Sequence, residues 1–120
     1  MQYALLIYTS EVEEANMSKE QQNAEFGEYF GFTNQIRERG VYVGGEALHP
    51  TSAATTVRVR EGKTLTTDGP FAETREQLGG YYILECKDID EAIEFAARIP
   101  GARRGSIEIR PVLVITPNQP

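Results

Sequence analysis

Residues 81–100 read YYILECKDIDEAIEFAARIP, a strand followed at once by a helix. Tyr81 to Cys86 is apolar on both faces until Glu85, as in a strand with neighbours on both sides. Asp88 stands three residues before Glu91, the spacing of a capping box, in which side-chain acceptors take the N–H groups that a helix start leaves bare. Beyond it Ile89, Ala92, Ile93, Ala96 and Ile99 recur at three- and four-residue intervals. That stripe predicts one buried helical face, and Pro100-Gly101 ends the helix.

A last strand is predicted over Ser106 to Ile115, with Ile107, Ile109, Leu113 and Ile115 facing one way and Glu108 and Arg110 the other. Pro111 donates no ladder hydrogen bond and so marks an edge or a bulge. The tail Thr116 to Pro120 is expected to be loose.

The same order of elements opens the chain. Tyr3 to Tyr8 is apolar or aromatic at every position, which predicts a strand buried on both sides. After the polar, acidic stretch Thr9 to Asn16, Ser18 can cap a helix in which Phe26, Tyr29, Phe30, Thr33 and Ile36 form the stripe, and which ends at Gly40 after Arg37 and Arg39. Gly27 and Gly31 lie four apart in it. Each costs about 1 kcal/mol against alanine, and close packing on a sheet is the expected compensation. Val41 to Val43 is a short strand before Gly44-Gly45. Thr55 to Arg60 and Thr64 to Thr67, joined through Glu61-Gly62-Lys63, form a hairpin with one polar face. Asp68-Gly69-Pro70 breaks the chain, and Phe71 to Leu78 has room for a helical turn before Gly79-Gly80.

The order is β-α-β, an inserted hairpin, then β-α-β. It predicts an α+β fold: a ferredoxin-like antiparallel sheet with two helices on one face, as one domain over residues 1–120. Two helices shield only one side. Residues such as Tyr8, Tyr82 and Leu84 alternate onto both, so an apolar sheet surface of several hundred Å² calls for cover. A second copy supplies it, giving a homodimer with a cavity between sheets.

At 120 residues and 40% hydrophobic the chain suits one core. No run of eighteen apolar residues is present, and the start has no basic flank, so neither a membrane span nor a signal peptide is expected. The net charge of −6 repels phosphate backbones, and the clusters Arg58/Arg60 and Arg103/Arg104 are too small to offset it, so nucleic acid is not an expected partner. Cys86 is the lone cysteine. It suits a reducing cytoplasm, and with Lys87 but no histidine beside it, it reads as inert. One His and one Cys far apart offer no metal-ligand spacing, and no phosphate loop, nucleophile elbow or dinucleotide fingerprint implies a cofactor.

Thr67-Asp68-Gly69-Pro70-Phe71-Ala72-Glu73-Thr74-Arg75-Glu76, running on to Leu78-Gly79-Gly80-Tyr81-Tyr82, resembles the DGPF-type branch of the YCII-related proteins. Tyr3-Ala4-Leu5-Leu6-Ile7-Tyr8, Thr56-Val57-Arg58, Asp90-Glu91-Ala92 and Gly105-Ser106-Ile107-Glu108-Ile109-Arg110-Pro111-Val112 extend the likeness over nearly the whole chain. The resemblance implies a dimeric α+β barrel and no assigned chemistry. The wider group carries a histidine early in the first helix and an aspartate in the middle loop, a proposed catalytic or ligand-binding pair. Here the only histidine, His49, lies outside that helix; Tyr29 or a neighbour stands where the histidine is expected, and Asp68 can serve as the acidic member. Some relatives are associated with extracytoplasmic-function sigma factors, which implies a regulatory context.

Each candidate has an ordinary reading beside the functional one. Asp68 is the candidate acid–base group or ligand anchor, and equally a cap for its own turn. His49, extended before Pro50, is a proton shuttle only with a carboxylate such as Asp68 nearby, and otherwise a loop residue. Arg58 and Arg110 suit a carboxylate or phosphate ligand with their planar forks, or pair with Glu73 or Glu76 and with Glu108. Tyr8, Tyr29 and Tyr82 offer phenols to a pocket, with Phe71 as an apolar contact near Asp68, and aromatic residues on strands also simply pack. Two functions are compatible with this set: a ligand-binding homodimer, with or without cofactor-independent catalysis, and a non-enzymatic regulatory or protein-interaction module.

Overall fold

The computed structural model describes residues 1–117. Strands β1 (Gln2–Thr9), β2 (Tyr42–Ala47), β5 (Gln77–Glu85) and β6 (Ser106–Pro111) make one sheet in the order β2-β5-β1-β6, each neighbouring pair antiparallel. Helices α2 (Lys19–Glu38) and α3 (Ile89–Arg98) pack on one face of it, the ferredoxin-like arrangement expected. Among the described residues, strands β3 (Thr55–Arg60) and β4 (Lys63–Asp68) pair only with each other. A short helix α1 (Glu11–Ala15) lies in the stretch that reads as polar connection; Ser10 caps it by accepting from the Glu13 N–H at 3.2 Å. Five residues are too few to show a helical period, which is why the sequence conceals it.

Ser18 and Gln21 form a reciprocal capping box at the start of α2, and Asp88 accepts from the Glu91 N–H at the start of α3. The core lies between these helices and the sheet. Tyr3, Leu5, Ile7, Tyr82 and Leu84 meet Phe32 and Ile36 of α2 and Ala92, Phe95, Ala96 and Ile99 of α3. Each predicted stripe holds in part, with Tyr29 and Ile36 of α2 and Ala92, Ala96 and Ile99 of α3 in or against the core, and the remainder is corrected. On α2 the sheet takes the face of Phe32 and Ile36, leaving Phe26 and Phe30 66% and 61% exposed, edge to face against each other. On α3 it takes Phe95, and Ile89 and Ile93 turn outward. Both helices carry apolar residues on more than one face, so spacing alone does not say which face docks. Gly27 and Gly31 follow Phe26 and Phe30 outward, and a Cβ at either meets nothing within 4 Å, so close packing does not explain them.

β1 is buried on one side only. Tyr3, Leu5, Ile7 and Thr9 face the helices, while Ala4, Leu6 and Tyr8 are half-buried on an uncovered face. Cross-strand register places Tyr81, Ile83, Glu108 and Arg110 on that same face. β2 runs on through Gly44-Gly45, with a bulge after Tyr42. No helical turn forms before β5, which starts at Gln77 and passes through Gly79-Gly80. β6 stops at Pro111, where the ladder loses its donor, and Leu113, Val114 and Ile115 lie exposed beyond it. The expected loose tail is described as far as Pro117; residues 118–120 lie outside the described part.

The hairpin turns through Glu61 and Gly62 at φ 52° and 74°, the left-handed pair of a type I′ turn. It exposes Val57, Val59 and Leu65. This projecting arm enlarges the molecule: the radius of gyration is 16.7 Å, where a compact chain of this length has roughly 13.5 Å.

Candidate functional site

A cavity of about 620 Å³ opens between α1, the amino-terminal half of α2, the helix-facing side of β1, β2 and β5, and the loop Leu48-His49-Pro50 after β2. Local contacts set its walls. Glu11 takes the Thr51 N–H at 2.8 Å and the Thr51 hydroxyl at 2.6 Å on its two carboxylate oxygens, and its own N–H donates to Gln77 Oε1 at 2.8 Å. These bonds hold α1 against the loop after β2 and the start of β5.

The inner end is built around Tyr29 and Arg104. The Tyr29 hydroxyl accepts the Gly101 N–H at 3.2 Å, and a Cβ on Gly101 would stand 2.7 Å from that oxygen, so only glycine allows this approach. Burial pushes the Tyr29 phenol up to about 12; the Gly101 N–H opposes the shift, and the Glu25 charge adds to it. Tyr82 donates to or accepts from the Thr33 hydroxyl at 2.9 Å, and burial raises its phenol as well. Both tyrosines therefore enter neutral solution as hydrogen-bond donors, not as bases.

Arg104 follows the 3-10 turn Pro100–Arg103 and reaches both α1 and α2. Nε and Nη2 donate to the two oxygens of Glu25 at 2.9 and 2.6 Å, and Nη2 also donates to Glu14 Oε1 at 3.1 Å. The Thr9 hydroxyl donates to that same Glu14 oxygen at 2.5 Å. Hydrogen bonds donated to Glu25 hold the guanidinium above its ordinary pKa, against the cost of its burial.

Of the residues singled out in the sequence, Tyr29, His49 and Tyr82 line this cavity. The other five do not. Tyr8 and Arg110 lie on the uncovered sheet face, where Arg110 pairs with Glu108. Asp68 is exposed at the end of β4, opposite Thr55. Arg58 donates to the carbonyl of Phe71 at 3.2 Å rather than to Glu73 or Glu76, and Phe71 is exposed. So Asp68 and His49 do not share this cavity. Glu14, Glu25, Thr33 and Arg104 were missed, apart from Arg104 as half of a small basic cluster. Nothing local marks them, since each partner lies on a different element.

Cys86 is buried just past β5, where burial, then the nearby Glu91 charge, pushes its thiol up. Among the described residues no group of three His, Cys, Asp or Glu is placed to hold a metal ion, and no helix is long and apolar enough to cross a membrane.

The family model described as the YCII-related domain matches residues 1–116. The chain belongs to the YCII-related family. This YCII-related protein is also similar to an uncharacterized protein of Rhizobium meliloti (strain 1021), 37% identical over 121 residues that span 99% of this chain and 98% of that relative.

Proposed function

We propose that this YCII-related protein is a cytoplasmic homodimer that holds a small organic molecule in the cavity between α1, α2 and the sheet, with Tyr29, His49 and Tyr82 as polar contacts. One observation carries the reading: three separately chosen residues converge on a single cavity of about 620 Å³, inside the roughly 300–1,000 Å³ range of small-molecule sites. The dimer rests on the sheet face of Ala4, Leu6, Tyr8, Tyr81 and Ile83, half-buried in one protomer, which a twin sheet would cover. The Asp68-Gly69-Pro70-Phe71 motif is the ground for placing the chain in the DGPF branch. Asp68 enters this reading only through the dimer, since an acid–base role requires the projecting hairpin to reach a partner's cavity.

A second reading, a regulatory or protein-interaction module connected with extracytoplasmic-function sigma factors, is favoured by the exposed Val57, Val59 and Leu65 of that hairpin. Mass spectrometry of small molecules released by denaturing the purified protein separates the two. We expect a stoichiometric compound from wild type and its loss from Ala47→Trp, which fills the cavity from β2. Sedimentation should find a dimer for wild type and a monomer for Leu6→Glu. No retained compound, in a protein that is monomeric at micromolar concentration, would leave only the interaction module.

A further inference from the structure

Four glutamates, Glu11, Glu14, Glu25 and Glu46, line the cavity with one arginine, Arg104. The arginine's donors are either engaged or buried, which leaves few for an incoming anion. Its Nε and Nη2 are engaged by Glu25 and Glu14. Its Nη1 is buried without a hydrogen-bond partner among the described residues, so a molecule entering the cavity cannot touch it. With four glutamates against one arginine, the lining carries a surplus of negative charge.

Glu14 is the carboxylate best placed to use that surplus. Its side chain is 41% exposed, and both of its recorded bonds fall on Oε1, leaving Oε2 without a partner among the described residues. The rings of Phe26, Tyr29, Tyr42 and Tyr82 line the same cavity. Aromatic rings attract a cation through their quadrupole, and a carboxylate attracts an ammonium and repels a second anion.

We propose that the cavity selects an organic cation, an amine whose ammonium sits on Glu14 and whose apolar body lies against the tyrosines. This rests on the cavity being a ligand site, and the test separates the two claims. Three probes of one shape and different charge are used on the full-length protein: tyramine, neutral 4-ethylphenol and anionic 3-(4-hydroxyphenyl)propanoate. Calorimetric titration should rank tyramine at least about tenfold tighter than the propanoate. Glu14→Gln, which keeps a side chain of the same shape, should weaken tyramine about tenfold and leave 4-ethylphenol unchanged. If the propanoate binds as well as tyramine, or if Glu14→Gln weakens neither, charge selection is overturned and the ligand site stands. If none of the three binds, the ligand site and its selectivity fail together.

Discussion

Arg104 and Glu25, 79 positions apart, form a two-pronged ion pair, Nε to Oε2 at 2.9 Å and Nη2 to Oε1 at 2.6 Å. It fastens the turn after α3 to the middle of α2, and Glu14 extends it to α1. The Glu25 side chain is only 16% exposed. Removing the guanidinium therefore strands a carboxylate that water reaches poorly. Arg104→Met is expected to cost about 1–3 kcal/mol, seen as a lower urea midpoint at unchanged slope. An unmoved midpoint would show that the pair contributes nothing to folding.

The Tyr29 phenol gives stability a measurable alkaline limb. Its folded value, raised to about 12, exceeds the ordinary 10.0, so the folded chain keeps a proton that the unfolded chain releases. The stabilisation is complete below pH 10 and is lost as pH climbs from 10 towards 12, because unfolding releases a proton throughout that window. Tyr29→Phe removes this dependence. Urea unfolding at stepped pH across the window should give a shallower fall for the variant than for wild type, and parallel curves would contradict the assignment.

Gly27 and Gly31 face open space, so a methyl group at either displaces nothing. Both sit inside α2, where glycine loses more backbone freedom on folding than alanine does. Gly27→Ala and Gly31→Ala are each expected to raise stability by about 0.5–1 kcal/mol and, being surface changes, to leave the fold intact. Thermal unfolding is the check. A loss of stability in either variant would mean that this face of α2 packs against something outside the protomer.

Glu61 holds a left-handed conformation at φ 52° in a turn that favours asparagine or glycine. The strain for an ordinary residue there is about 1–2 kcal/mol. Glu61→Asn should relieve part of it and slow amide exchange in β3 and β4, with little change in the global unfolding midpoint, because these strands pair only with each other. Equal slowing in β1 and β5 would show that the arm and the main sheet open as one unit.

Much of the architecture was legible in the chain because the forces that set it are local. The unbroken apolar run Tyr3 to Tyr8 specifies a strand, Ser18 and Asp88 start helices by taking backbone N–H groups three residues on, and Glu61-Gly62 closes a hairpin through its own dihedrals. These signals determined the order of elements and hence the ferredoxin-like sheet. Only the tertiary structure decided that Phe32 and Phe95 turn inward while Phe26, Phe30 and Ile93 turn out, because a helix with apolar residues on several faces docks whichever one the sheet admits. It alone brought Glu14, Glu25 and Arg104 to one cavity and kept Asp68 on an outlying arm. Charges and hydroxyls act across space, and their distances along the chain carry no trace of the meeting.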